Sequence, residues 1–359
     1  MVQSRKSAAK PETGLPRPGP KAGSTPQRNT SELALLATIR ARAAGLGPVG
    51  KGKSRLRLGI GDDCALLRPR AGEELAVTTD LSLQGRHFRL DWHPPESVGH
   101  RTLARGLSDL AAMGARPVAA FLSLGLPREL TIDNDGQRSW VDRFLDGLLT
   151  LAAECSVPLA GGDLAESPFA VADIMLTGSV SQGKALLRSG AKAGDRIYVT
   201  GSLGGAAAEL AALSKSPQSF GGVVTASNAH PHLYPQPRIA QGLWLRKHGL
   251  ASAAMDLSDG LSTDLAHICE ESGVAAEVTA TALPLGAGAT LEMALHGGED
   301  YELLFTAPAS AKLPREIAGV AVTEIGRIVR ASPQKPGVLL RTEDGLRPLD
   351  PHGWEHFAG

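Results

Sequence analysis

Six short motifs rich in glycine and carboxylates punctuate the chain: GIGDD at 59–63, TTD at 78–80, SDLAAMGA at 108–115, GGD at 161–163, DLSDG at 256–260 and GGEDYE at 297–302. Several of them end apolar runs, so the fold must bring strand and helix ends back repeatedly to shared loops. Glycine lets backbone approach a ligand closely and reach conformations that side chains forbid. Carboxylates gathered in one pocket repel one another unless hard cations offset their charge, and Mg²⁺ is held mainly by oxygen ligands together with substrate phosphates. Asp and Gly are also ordinary turn residues, and any one motif alone fits a plain turn. Their number and placement point instead to one polyanion-and-metal centre assembled from distant loops.

The 359 residues are enough for two domains at about 100–200 residues each. Residues 1–30 are rich in Lys, Arg, Pro, Ser and Gly, with no apolar core. They are expected to form a disordered extension, and without a secretory or membrane-length apolar segment the chain is expected to be cytoplasmic. Thr30 or Ser31 can cap a helix over ELALLATIRARAA, with Glu32 in its first turn. Leu75–Thr79 reads as a strand that delivers Thr79 and Asp80 to its end. A helical pattern over 97–115 carries Val98, Leu103, Leu107, Leu110 and Met113 on one face.

Val118–Leu124 predicts a strand, Trp140–Cys155 a helix, Val157–Ala160 a short strand running into GGD, and Phe169–Val180 a long strand. The pattern restarts at GAKAGDRIYVTG (190–201), with helices over Arg238–Lys247 and Leu261–Glu271 and strands over Ala251–Met255, ELLFT and Val320–Val329. Strands and helices mixed in both halves give an α/β or α+β class. The expected division is 1–30 (extension), 31–185 (first domain) and 186–359 (second domain).

Lys plus Arg balances Asp plus Glu at 37 each, and no basic cluster is interleaved with aromatics. The stripe of excess positive charge that marks a nucleic-acid binder is missing. Cys64, Cys155 and Cys269 show no paired spacing, which argues against a disulfide framework or a zinc knuckle. GPVGKGKS at 47–54 formally matches a phosphate-binding P-loop through Gly47, Gly52, Lys53 and Ser54. That motif needs a strand before it and a helix after it, whereas here a helix precedes and the alternating RLRLGI follows, so a basic loop is the preferred reading.

GIGDD, TTD followed by GRHF, SDLAAMGA, GGD, RSGAKAGD, MDLSDGL, GGEDYEL, IGRI and GWEHF, in this order over roughly 31–357, closely resemble the thiamine-monophosphate kinases of the aminoimidazole-ribonucleotide-synthetase-like superfamily. The resemblance implies a two-domain fold in which the first domain, a mixed sheet, pairs with a second copy into a barrel-like centre. A second α/β domain closes the active site. It implies phosphorylation of thiamine monophosphate to thiamine diphosphate by ATP, several Mg²⁺ ions and a homodimer; whether K⁺ assists is left open by the sequence. Carried onto this chain, it places metal at Asp63, Thr79, Asp80, Asp109, Asp163, Asp256 and Asp259, with Asp80 and Asp109 catalytic through metal positioning. Gly162, Asp163, Arg188 and Ser258 match ATP-holding positions, and His87, Glu299 and Trp354 match substrate positions.

The chain departs from its relatives after TTD. Where TTDxLVEGVHF is usual, it has TTDLSLQGRHF, so Gln84 replaces an acidic residue and Arg86 a small apolar one. The alternatives are another ATP-dependent synthetase of the superfamily, such as an aminoimidazole ribonucleotide or selenophosphate synthetase, and a catalytically idle nucleotide-binding protein.

Overall fold

A computed structural model describes residues 32–44, 54–133, 136–217, 230–332 and 337–353. The extension, the caps Thr30 and Ser31, Lys53 and Trp354 lie outside the described residues. Ser54 leads into a strand, not a helix.

The first half runs α1 (Glu32–Ala43), β1 (Leu56–Leu58), β2 (Leu66–Leu67), β3 (Glu73–Leu83), α2 (Pro95–Ala112), β4 (Arg116–Leu126), α3 (Trp140–Glu154), β5 (Leu159–Glu166) and β6 (Val171–Ser181). Its main sheet has the order β3-β6-β4-β5, antiparallel except for the β4–β5 pair. Apolar residues at helical spacing on α2 (Leu103, Leu107, Leu110) meet Phe144, Leu145 and Leu148 of α3 and Ile174 and Leu176 of β6 in one core. The two helices touch backbone to backbone. A Cβ on Gly147 would lie 1.8 Å from the Glu96 carbonyl oxygen, and one on Gly99 would lie 1.9 Å from that of Phe144.

The second half continues β7 (Arg196–Thr200), α4 (Gly205–Lys215), α5 (Ile239–His248), β8 (Ala253–Asp256), α6 (Leu261–Ser272), β9 (Val274–Thr279), α7 (Leu291–His296), β10 (Leu303–Ala307), β11 (Glu316–Ile317), β12 (Val320–Arg330), β13 (Val338–Thr342) and β14 (Gly345–Pro348). Its mixed sheet is ordered β14-β13-β9-β12-β7-β10-β8, with β11 beside β12. Leu265 and Ile268 of α6 bury against it with Met255, Val278 and Leu304. Ala111 and Ala112 at the end of α2 join Leu245 of α5 and Leu303 and Phe305 of β10, so the two halves share a small core of their own.

Two motifs sit differently from their sequence expectation. TTD lies inside β3, which keeps pairing with β6 as far as Leu83 opposite Val171. Strand alternation therefore puts Thr79 and Asp80 on opposite faces. GGD likewise lies within β5 and not in a loop after it. Gly162 holds φ +149, where a Cβ would fall 1.8 Å from the Leu122 carbonyl oxygen. Only glycine lets the strand pass there.

Candidate active site

Four of the six motifs converge on one cavity of about 360 Å³ between the halves. From the first half, β3 supplies Asp80, the turn after it supplies Arg86 and His87, and α2 supplies Arg105 and Asp109. From the second half come Asp256, Ser258 and Asp259 at the β8–α6 turn, and Gly297 to Glu299 and Tyr301 after α7. A larger cavity of about 650 Å³ in the second half gathers none of the first-half motifs.

Hydrogen bonds aim the carboxylates. Asp80 pairs with Arg105 at 2.7 Å, and Arg105 also donates to the Ser82 hydroxyl at 3.2 Å. Thr78, on the same face of β3 as Asp80, donates its hydroxyl to Asp109. Ser108 reaches across the halves and donates to Asp256 Oδ2 at 2.6 Å. Burial is the main force on their protonation: it pushes Asp80 up to about 6 against the pull of Arg105. Burial and then Asp109 push Asp256 up to about 7, and burial also raises Asp109. Crowded, desolvated carboxylates of this kind are relieved by an added cation.

The turn that presents Ser258 and Asp259 is shaped from inside. The N–H groups of Ser258, Asp259 and Gly260 all donate to Asp264 Oδ2, at 3.1, 3.2 and 3.1 Å. The GGEDYE loop is stitched to the same turn by Glu299 N–H to the Ser258 carbonyl and Tyr301 N–H to the Leu257 carbonyl, both 2.8 Å. Glu299 and Tyr301 take φ of +67 and +50, uncommon for residues with side chains. Successive side chains are thereby thrown to different sides. Glu299 faces the cavity, while Asp300 turns back to accept from Gly204 N–H (2.6 Å) and Ala206 N–H (3.2 Å) at the start of α4. Asp300 thus caps the helix whose Ala206, Ala207 and Leu210 form a wall of the cavity.

Of the residues singled out from sequence, Asp80, Asp109, Asp256, Asp259, Ser258, His87 and Glu299 line this cavity. Arg188 is exposed, and its charge acts on Asp109 and Asp256. Asp63, Gly162 and Asp163 line a different cavity of about 350 Å³ that shares no lining residue with the first. Within this chain the expected single centre is therefore divided. Thr79 is exposed on the opposite face of β3 from Asp80. Asp62 accepts from the Asp63 N–H at 3.0 Å, as a turn residue does. Gln84 accepts from the Ala170 N–H at 2.8 Å and so braces a neighbouring loop, while Arg86 lines the cavity. Thr78, Arg101, Arg105, Ser108, His232 and Asp264 carried no sequence signal beyond their motifs or stood outside them.

Residues 61–180 match the family of AIR synthase related protein N-terminal domains, and residues 192–336 match that of their C-terminal domains. Fold and cavity together define a two-domain α/β protein of the AIR-synthase-related class. The chain is 41% identical over 317 residues to the thiamine-monophosphate kinase of Salmonella typhimurium, spanning 84% of this chain and 92% of that one. The crystal structure of thiamine-monophosphate kinase from Stenotrophomonas maltophilia superposes with a TM-score of 0.71 at 37% identity, covering 86% of this chain and 96% of the other. A structure of AaThiL complexed with AMPPCP and TMP superposes with a TM-score of 0.67 at 30% identity, covering 93% and 99%. The chain belongs to the thiamine-monophosphate kinase family, whose chemistry is ATP-dependent phosphotransfer.

Proposed function

We propose that the chain transfers the terminal phosphoryl group of ATP directly to thiamine monophosphate, giving thiamine diphosphate and ADP. The observation that carries this reading is the convergence of Asp80, Asp109, Asp256 and Glu299, from both halves, on one cavity. The likeness to AaThiL complexed with AMPPCP and TMP supports the choice of substrates.

The nucleophile is a phosphate oxygen with a second pKa of about 6, already ionised near neutral pH. No general base is required, and the difficulty is bringing two anions into line. The oxygen-only donor set of Asp80, Asp109, Asp256 and Asp259 suits Mg²⁺. Among the described residues no three carboxylate, imidazole or thiol groups form a closed metal cage; Mg²⁺ bound largely through water and phosphate needs none. Those residues would hold several ions between them, each largely through water and phosphate, and Asp63, Thr79 and Asp163 remain candidates from the resemblance alone. Bound Mg²⁺ supplies charge neutralisation between donor and acceptor phosphates, with K⁺ as a further cation to test. Ser258 and Arg188 serve the nucleotide, with Gly162 and Asp163 as further candidates by resemblance, and His87, Glu299 and Trp354 the acceptor.

Two copies pairing through β3 would cover Leu75, Val77 and Leu81, which stand 41%, 61% and 46% exposed on the strand face away from α2. That supports a homodimer built on the first-half sheets, in a cytoplasmic enzyme. Among the described residues no helix is long and apolar enough to cross a membrane. The assay is incubation of thiamine monophosphate with ATP and Mg²⁺, with and without K⁺, followed by separation of the thiamine phosphates. Thiamine diphosphate is the expected product, and its absence under all conditions would overturn the reading.

A further inference from the structure

We infer that Arg101 is a positioning residue that locks His87 and Glu299, the proposed acceptor-binding groups from opposite halves, into one constellation. The inference rests on the acceptor-site reading above. Arg101 lies on α2 with 3% exposure, and His232 beside it has 1%. One guanidinium nitrogen, Nη2, donates to Glu299 Oε1 at 2.7 Å and to the His87 carbonyl at 3.3 Å. The other, Nη1, donates to the His232 carbonyl and sits 3.0 Å from His232 Nδ1. The second Glu299 oxygen lies 3.1 Å from the same imidazole nitrogen, and His232 Nε2 stands 3.0 Å from His93 Nε2.

The three segments gathered in this way stand 14, 131 and 198 residues from Arg101 along the chain. Nothing local in the sequence would hold them together. The planar fork of arginine can serve several acceptors at once with little loss of freedom. Glu299 has its backbone pinned at positive φ and both carboxylate oxygens engaged, so its direction is fixed before any ligand arrives. Burial alone would raise its carboxyl, but Arg101, His232 and Arg105 outweigh it and hold the group well below the usual carboxylate range. The acceptor therefore meets a preformed anion, and the cost of ordering it has been met in folding.

A merely structural tie between the halves would disturb both substrates alike, whereas positioning of the acceptor groups should separate them. The variants are Arg101→Met, Arg101→Lys, Glu299→Gln and the double variant Arg101→Met/Glu299→Gln, each measured for KM of both substrates, kcat and melting temperature. Arg101→Met is expected to raise the thiamine monophosphate KM by about 10–100-fold, with the ATP KM held within about twofold. Lysine should recover part of the loss, since it can pair with Glu299 without reaching both carbonyls. The double variant should lie within about threefold of Glu299→Gln in acceptor KM, because the two residues act as one unit. If Arg101→Met is too unstable to purify, the double variant, which leaves no partly buried carboxylate stranded, carries the comparison. Equal rises in both KM values, or additive effects in the double variant, would overturn the inference. A wild-type protein that turns over thiamine monophosphate with an Arg101→Met acceptor KM unchanged would sink this inference alone. A wild type without that turnover would sink the functional reading, and this inference with it.

Discussion

Ser108 on α2 of the first half donates a 2.6 Å hydrogen bond to Asp256, the last residue of β8 in the second half. Both are buried, so one bond registers the two halves at the point where the carboxylates meet. Ser108→Ala leaves an Asp256 oxygen without its donor, at a cost of about 1–3 kcal/mol. The expected outcome is a lower denaturation midpoint together with a drop in kcat of roughly tenfold, read by urea titration and steady-state kinetics on the same preparation.

Asp80 and Asp109 stand in the cavity under opposite constraints, one paired with Arg105 and the other accepting from Thr78. Alanine at either should lower turnover by about 100-fold or more, given the usual worth of one aligned electrostatic group. ATP affinity should change less. Near-normal rates in both variants would remove the cavity from consideration as the reaction centre.

Asp300 gives the fold a pH dependence whose sign can be worked out. Burial pushes its carboxyl up to about 7 against the two N–H donors at the start of α4. With its folded pKa raised, its contribution to stability is fully present below the unfolded value near 4. It is lost as pH rises towards 7, by an amount on the order of a few kcal/mol. Asp300→Asn should therefore flatten the stability profile between those limits. Chemical denaturation of both proteins across pH 4 to 7, as about the range spanned by the two pKa values, gives the difference directly, and parallel profiles would contradict the assignment.

Gly147 sits where α3 meets the Glu96 carbonyl, with space for a hydrogen only. Gly147→Ala forces α2 and α3 apart and should cost about 1–3 kcal/mol. Gly147 does not line the cavity, so the folded fraction should keep its substrate KM values; thermal melting and low-temperature kinetics separate the two effects.

Much of this was open to reading from the chain alone. DLSDG and GGEDYE announce sharp loops by composition, and their neighbours along the chain do the work of shaping them, as Asp264 does for Ser258 to Gly260. The apolar spacing on α2 named Leu103, Leu107 and Leu110 as core residues, but burial of nearly the whole helix, polar positions included, was not readable from it. TTD misled because the end of β3 is set by pairing with β6, not by the motif, so Thr79 and Asp80 stay within the strand and alternate to opposite faces. Arg101 and Arg105 stand outside the motifs and carried no signal in the sequence. Glu299, 198 residues from Arg101, meets it only once the halves are packed, and Asp80 meets Arg105 only once β3 and α2 pack within the first half. The separation of Asp63 and Asp163 from the other carboxylates is a matter of tertiary placement that no spacing of motifs encodes.

The central claim is direct phosphoryl transfer from ATP to thiamine monophosphate in the cavity between the halves. Its most direct measurement is a single-turnover reaction with ATP labelled at the γ-phosphate, protein in excess and Mg²⁺ present, sampled over time for label in thiamine diphosphate, inorganic phosphate and protein. Label should pass into thiamine diphosphate with none held on the protein at any time, and Asp80→Ala should slow that passage. Label trapped on the protein, or released only as inorganic phosphate, would contradict the account.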